Sequence, residues 1–272
     1  MNAVLPLSET RDVTAFGSKA VGLGEATRAG LSVPPGIALS GPFVEAVASE
    51  DEEAVATLLR LAAPLPLPLA VRSSAADEDG AEASFAGQHL TLLNVPSPAD
   101  LPRAVRDIWW SANSDSAITY RQRVGLFTRP NVGVVVQSLL NPEVAGVMFT
   151  QNPMNGADER VIEGSWGLGE AVVAGTVIPD HFRIDRDGRV LERIPGLKQV
   201  AIRALPSGGT VEEATPPGDV ERLCLDERQL ELLSQLALRC EQVYGPARDI
   251  EWAIADGTLY VLQCRAVTRT GR

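Results

Sequence analysis

Histidine is scarce in this chain of 272 residues. There are two, His89 and His181, and neither accompanies a serine or cysteine motif of the kind a catalytic triad needs. Cysteine is scarce as well. Cys224, Cys240 and Cys264 are scattered without CxxC spacing, which argues against a zinc site or a disulfide framework and fits a reducing cytoplasm. Basic charge is outnumbered: 24 Lys and Arg stand against 35 Asp and Glu, for a net charge of −11. Such a body argues against broad nucleic-acid binding, because phosphate backbones need basic surface; a single nucleotide needs only a few local cations. No apolar run reaches the ~20 residues that span a bilayer. The opening MNAVLPLSET has no basic stretch followed by an apolar one, so no signal peptide is expected.

What is present is a globular composition, 45% hydrophobic and 22% charged, long enough for one large domain or two small ones. A glycine turn at Gly17 precedes a predicted helix over about Lys19–Arg28, stopped by Gly30. Helical spacing runs from Phe43 to about Ala62, and Ser97–Gly125 reads as two helices. VGVVVQSLL from Val132 is a continuous apolar run, as in a buried strand. AGVMFTQNP and RVIEGSW are further strands, the second followed by a glycine loop and a short helix. DHFRIDRDGRVLERI is a hairpin with Asp187-Gly188 at its turn, Leu205–Asp219 reads as a surface loop, and Asp226 caps an amphipathic helix with Leu230, Leu233, Leu236, Ala237 and Cys240 on one face. Strands and helices interleave without strict βαβ order. The expectation is an α+β fold in two subdomains, residues 1–130 and 131–272. Trp109 and Trp110 are expected in core and interface packing.

The last stretch, DIEWAIADGTLYVLQCRAVT (Asp249–Thr268), reads as a hairpin. A two-residue loop at Asp256-Gly257 mixes polar and apolar side chains on both faces. A three-residue loop pairs Ile250 with Cys264, Trp252 with Leu262 and Ile254 with Tyr260, giving one apolar face. The other face then holds Asp249 opposite Arg265 and Glu251 opposite Gln263. Register follows the buried face, so the three-residue loop is expected. Four polar side chains therefore converge, either as a solvated face with one ion pair or as a site where hard oxygens meet Mg²⁺ and a guanidinium meets phosphate.

Other segments carry weaker signals. Arg72 ends a strand and enters a loop of small residues that lets backbone approach a ligand. Lys19 lies at a helix start, where phosphate binds readily. In one order along the chain, GSKAVGLGEATRAGLSVPPG, AVRSSAADEDGAEASFAGQ, VAGVMFTQNP, EGSWGLGEAVVAG and the hairpin resemble the N-terminal ATP-binding domain of the dikinase family, which includes phosphoenolpyruvate synthase, pyruvate phosphate dikinase and rifampin phosphotransferase. The match runs from about Ala15 to Thr268.

The resemblance implies an ATP-grasp-like fold with the nucleotide between two subdomains. It implies phosphate contacts from Lys19 and Arg72, a loop over the phosphates at Gly87, Gln88 and Thr91, and an adenine strand at Gln137. Glu251 and Gln263 match Mg²⁺-binding positions, and Asp249 and Arg265 match ribose- or phosphate-side positions. Lys19, Arg72 and Arg265 would be catalytic, with ATP and Mg²⁺ as cofactors. In the family, ATP is split to AMP and phosphate while the β-phosphate passes to a carrier histidine. The chain departs from the pattern in three ways. Ser18 stands where a second glycine is usual, the segment from Pro42 to Arg72 is short, and neither His89 nor His181 sits in the carrier motif. The implied partners are a phosphohistidine-carrier protein or domain and an acceptor-binding protein, with no nucleic acid and no membrane. The alternatives are a small-molecule kinase acting directly and a non-catalytic ATP-binding module.

Overall fold

The computed structural model of the chain describes residues 3–76, 90–123 and 130–267. Its contacts divide the chain into two compact units: Met1–Glu25, Pro34–Leu139 and Leu205–Gly209 form the first, and Ala26–Val33, Leu140–Ala204 and Thr210–Arg272 the second. The fold is α+β, and every pairing between the named strands is antiparallel.

Along the first unit run β1 (Val4–Pro6), α1 (Val13–Phe16), α2 (Ser18–Arg28), β2 (Gly36–Leu39), α3 (Gly41–Ala48), α4 (Glu52–Ala62), β3 (Leu69–Ala75), β4 (Thr91–Val95), α5 (Leu101–Ala112), α6 (Asp115–Arg123) and β5 (Val132–Ser138); α2 continues into the second unit. The sheet order is β1-β2-β5-β3-β4. β5 is the central strand and is buried along its whole length, which is why it reads as an unbroken apolar run. Val132, Val134 and Val136 face one way, into a core with Val44, Val47, Leu58, Leu101, Val105 and Ile108 of the helices. Each such side chain fully withdrawn from water contributes roughly 1.5–3 kcal/mol.

The helical stretch expected from Phe43 to Ala62 is two helices. Glu50 takes φ +61°, and Asp51 starts α4 by accepting the Ala54 N–H at 2.8 Å, an N-cap the spacing alone does not display. Of the tryptophans, Trp109 packs on the core, while Trp110 is 61% exposed and meets it edge-on, with centroids 5.2 Å apart.

The second unit contains β6 (Val144–Phe149), β7 (Arg160–Trp166), α7 (Glu170–Val173), β8 (Asp180–Ile184), β9 (Val190–Ile194), β10 (Val200–Ala204), β11 (Thr210–Ala214), α8 (Glu227–Tyr244), β12 (Arg248–Ala255) and β13 (Thr258–Ala266). Six strands run in the order β13-β12-β6-β7-β8-β9. α8 opens with a capping box: Asp226 Oδ1 accepts the Gln229 N–H and Gln229 Oε1 accepts the Asp226 N–H. Its apolar face (Leu230, Leu233, Leu236, Ala237, Cys240) shares a core with Met148, Ile162, Phe182, Ile250, Trp252 and Ile254. The stretch expected as a surface loop contains β11, paired with β10. All five of its residues are exposed, so it carries no alternation to read.

One ion pair is wholly buried here. Lys198 Nζ donates to Asp180 Oδ1 at 2.5 Å, and both side chains have 0% exposure. Asp180 also accepts the Gly196 N–H on Oδ1 at 2.7 Å and the Cys224 N–H on Oδ2 at 2.6 Å. A single carboxylate thus holds the start of β8, the turn after β9 and the segment leading to α8.

Candidate functional site

The assigned residues fall into two sets, one on each unit. In the first unit, α2 is stitched onto the end of β3. Ser18 Oγ donates to Ala75 O at 3.1 Å, the Ala20 N–H to Ser74 Oγ at 3.0 Å, and Lys19 Nζ to Ser73 O at 2.8 Å. The approach depends on Gly17. It takes φ +82°, and a Cβ there would sit 2.1 Å from Ser74 O, so no other residue fits without backbone movement. Lys19 is buried, with 6% exposure.

Arg72 pairs with Thr91 of β4 and with Val135 of β5. Gln137 pairs with Ala70 and Gly36, and its Nε2 donates to Pro34 O at 3.0 Å. Directly paired residues share a face and alternate residues repeat it. Arg72, Thr91 and Gln137 therefore lie on the sheet face opposite the helical core. Gly87 and Gln88, with His89 beside them, lie outside the described residues.

In the second unit the hairpin answers the register question in an unexpected way. Its turn has two residues, not the expected three: Ala255 pairs with Thr258, and Asp256 and Gly257 take φ +49° and +69°, both positive as a type I′ turn requires. Trp252 then meets Val261 and Ile254 meets Leu259, rather than Leu262 and Tyr260. Between Glu251 and Trp252 the register shifts, and Leu262 is the extra residue on β13. This bulge restores the phase. Below it Ile250 pairs with Cys264, Glu251 with Gln263 and Asp249 with Arg265, as expected.

The polar face is no ordinary surface. Asp249 and Gln263 are buried, at 8% and 7% exposure, Glu251 is half-buried and Arg265 is exposed. Arg265 Nε donates to Asp249 Oδ2 at 2.8 Å, which fixes the plane of the guanidinium. Glu251 and Gln263 present two hard oxygens directly opposite one another. No group of three or more His, Cys, Asp or Glu side chains that could hold a metal occurs among the described residues. One carboxylate oxygen and one amide oxygen are hard ligands of the kind that could hold a small oxygen-loving cation together with water.

The same face continues across the sheet. Glu251 pairs with Val147, Val147 with Glu163, and Glu163 with His181. His181 Nδ1 lies 3.7 Å from Glu163 Oε1, and its Nε2 lies 4.0 Å from Glu192 Oε2. In the adjacent row, Asp249, Phe149, Val161 and Arg183 are in line, and Arg183 bridges Glu159 and Glu192 at 3.0 and 2.7 Å. The Asn152 amide donates to Glu159 at 2.7 Å. That hydrogen bond, with help from Arg183, holds the Glu159 carboxyl below its ordinary value. Glu170, in the first turn of α7 after the glycine loop, is pushed up by burial, opposed by a bond from the Thr210 hydroxyl.

Glu163 and Glu170 lie in EGSWGLGEAVVAG but have no role of their own in the sequence reading, and His181 enters it only as a histidine without a triad partner or a carrier motif. The available signal was a lone glutamate inside the apolar strand RVIEGSW.

The pyruvate phosphate dikinase AMP/ATP-binding domain family matches residues 37–272. The chain belongs to that family. This AMP/ATP-binding domain is 34% identical, over 96% of its length, to a probable phosphoenolpyruvate synthase of Methanothermobacter thermautotrophicus, of which it covers 45%. It is 39% identical, over 73% of its length, to a rifampicin phosphotransferase of Streptomyces sviceus, of which it covers 23%. The domain thus spans less than half the length of either relative. Among solved structures, PH1788 from Pyrococcus horikoshii Ot3 aligns with a TM-score of 0.48 at 13% identity, over 93% of this chain and 91% of that one. That score lies below one half, and the family assignment stands on the sequence match. No helix among the described residues is long and apolar enough to cross a membrane.

Proposed function

We propose that this domain is the ATP-binding catalytic part of a dikinase-type phosphotransferase, with an ATP-grasp mode of binding and Mg²⁺ as its metal. In this reading ATP is cleaved to AMP and phosphate while a carrier histidine on a separate protein or domain is phosphorylated, and an acceptor-binding protein takes the phosphoryl group onward. The observation that carries the proposal is the base of the β12–β13 hairpin, where Asp249, Glu251, Gln263 and Arg265 meet in two facing pairs on the side of the sheet away from α8.

Glu251 and Gln263 are the metal-side oxygens. Bound Mg²⁺ would offset phosphate charge. Arg265, its plane set by Asp249, stabilises charge spread over the transferring group. Lys19 and Arg72 are phosphate contacts, Thr91, Gly87 and Gln88 belong to the phosphate-covering segment, and Gln137 belongs to the adenine strand. The Lys19 bond to Ser73 O fixes the side chain at the start of α2. The scattered spacing of Cys224, Cys240 and Cys264 favours a reducing cytoplasm as the domain's compartment.

The test is phosphorus NMR of the products formed from Mg·ATP with candidate histidine-domain proteins added one at a time. AMP and phosphate appearing together with a phosphohistidine supports the reading. ADP as the sole nucleotide product would replace it with direct kinase chemistry. A chain that does not bind Mg·ATP at millimolar concentration by calorimetry would remove it.

A further inference from the structure

Asn94 lies outside the proposed nucleotide site. It stands on β4, which ends the first sheet and pairs with β3 alone, and it is buried, with 3% exposure. Its Nδ2 donates to two backbone carbonyls, Leu205 O and Gly209 O, each at 2.6 Å. Its own carbonyl accepts the Gly209 N–H at 3.0 Å. A side-chain amide carries two N–H donors, so both are matched. Leu205–Gly209 is the tip between β10 and β11, and it belongs to the same unit as β4. The tip is closed on itself. Leu205 O accepts the Gly208 N–H at 3.1 Å, and the Leu205 N–H reaches Gly209 O at 3.0 Å, with Gly208 and Gly209 at φ +98° and +71°. It therefore presents its two carbonyls to one side chain as a fixed pair.

Asn94 also marks an irregularity in its strand. Leu69 pairs with Val95 and Val71 with Leu92, so Ala70 of β3 faces two residues, Leu93 and Asn94. One of them is surplus, which makes a β-bulge. Asn94 takes φ +61°, a conformation that asparagine tolerates better than most residues. The bulge decides where Thr91 points. With it, Thr91 pairs with Arg72, on the face away from the helical core. A strand running straight on from the Leu69–Val95 pair would set Thr91 opposite Ser73, and that one-residue slip would turn its side chain onto the core face.

We propose that Asn94 is a positioning residue for phosphate binding: by clasping the hairpin tip it pins the bulge of β4, and the pinned bulge holds Thr91 on the face of Arg72. An edge strand is fixed by one neighbour only. The clasp adds three hydrogen bonds from outside the sheet, and the two from the side chain are lost if the surplus residue moves along the strand and Asn94 turns away from the tip. The consequence for ATP rests on the proposed nucleotide reading; the clasp itself does not.

Two variants of the full chain separate the clasp from the backbone beneath it. Asn94→Asp keeps the size and the tolerance of positive φ, but it sets a carboxylate against two carbonyls and donates to neither. Asn94→Gly keeps the φ and has no side chain. A control, Val44→Ala, removes core packing from α3 of the same unit. Amide exchange followed by NMR should show the Gly209 N–H protected in the wild-type chain and exchanging about tenfold faster or more in both Asn94 variants, as local opening becomes easier. Calorimetry should show Mg·ATP bound about fivefold or more weakly in both, the share of one hydrogen bond. Val44→Ala, compared at an equal margin below its melting temperature, should bind as the wild type does. Wild-type protection of Gly209 in Asn94→Asp overturns the clasp. Wild-type affinity in both Asn94 variants, an equal loss in Val44→Ala, or failure of both Asn94 variants to fold overturns the positioning role. No Mg·ATP binding by the wild-type chain would count against the nucleotide reading and remove the positioning role with it, while exchange at Gly209 would still decide the clasp.

Discussion

Replacing Lys198 with methionine should be among the most damaging single changes in the second unit. The ammonium has 0% exposure and lies 2.5 Å from Asp180 Oδ1. Removing it leaves a buried carboxylate whose remaining described partners are the Gly196 and Cys224 N–H groups. Breaking one side of a buried pair costs about 3–5 kcal/mol, because the other charge stays out of water uncompensated. Methionine nearly matches the volume, so little of that loss is packing. Urea unfolding followed by tryptophan fluorescence is a suitable assay. Trp252 lies against Gly164, and Gly164 pairs with Asp180, so a local reporter is built in. The partner change, Asp180→Asn, should also destabilise. The double variant should be less damaged than the sum, with a coupling of about 1–3 kcal/mol. A loss below about 1 kcal/mol for Lys198→Met, or strict additivity, would refute the account of this carboxylate as a charged clamp.

The remaining predictions concern the site and its supports. Glu251→Gln should keep the fold and lose Mg²⁺-dependent turnover, whereas a residue that merely faces solvent would change stability by no more than about 0.5 kcal/mol and leave turnover alone; product assays and circular dichroism separate the two. Arg265→Ala should lower turnover on the order of 10²–10³-fold, as for one lost electrostatic contact, and wild-type rates would sink its assignment. Gly17→Ala should cost more than about 1 kcal/mol, since the φ is +82° and Ser74 O blocks the Cβ; a neutral result by thermal melting would contradict the close approach.

Glu159 supplies a pH test. Its folded pKa is depressed, first by Asn152 and then by Arg183. Its contribution to stability is therefore present above the ordinary carboxylate range and lost as pH falls through the lower folded value. Asn152→Ala should bring that pKa back toward the ordinary range and flatten the acid limb of the stability profile, and an unaltered limb would reject the hydrogen bond as its cause.

Much of the architecture is legible because burial imposes period. β5 reads as a strand because both its faces are covered, and α8 because one face is. β11 is covered on neither face, and no pattern marks it. The hairpin shows how a correct result can come from an incomplete premise. Apolar side chains had to share a face, and below the bulge they do, so the facing polar pairs were legible. The bulge was not, because Leu262 is one more apolar residue in an apolar strand and nothing in its chemistry marks it as surplus. The alignment of Glu163 and His181 with Glu251 is not legible for another reason. Their place in line with Glu251 is set by the registers of four strands from distant parts of the chain, and no local period encodes that.

The bulge also bears on engineering. A three-residue tip without a bulge and a two-residue tip with one leave the base of the hairpin in the same phase. What the base senses is the pairing of Glu251 with Gln263, not the path of the residues between them. Residues inserted at Asp256-Gly257 lengthen a loop that hairpins tolerate at about two to five residues, and the facing pairs at the base keep their side of the sheet. The hairpin tip is accordingly the place to attach a probe to this domain.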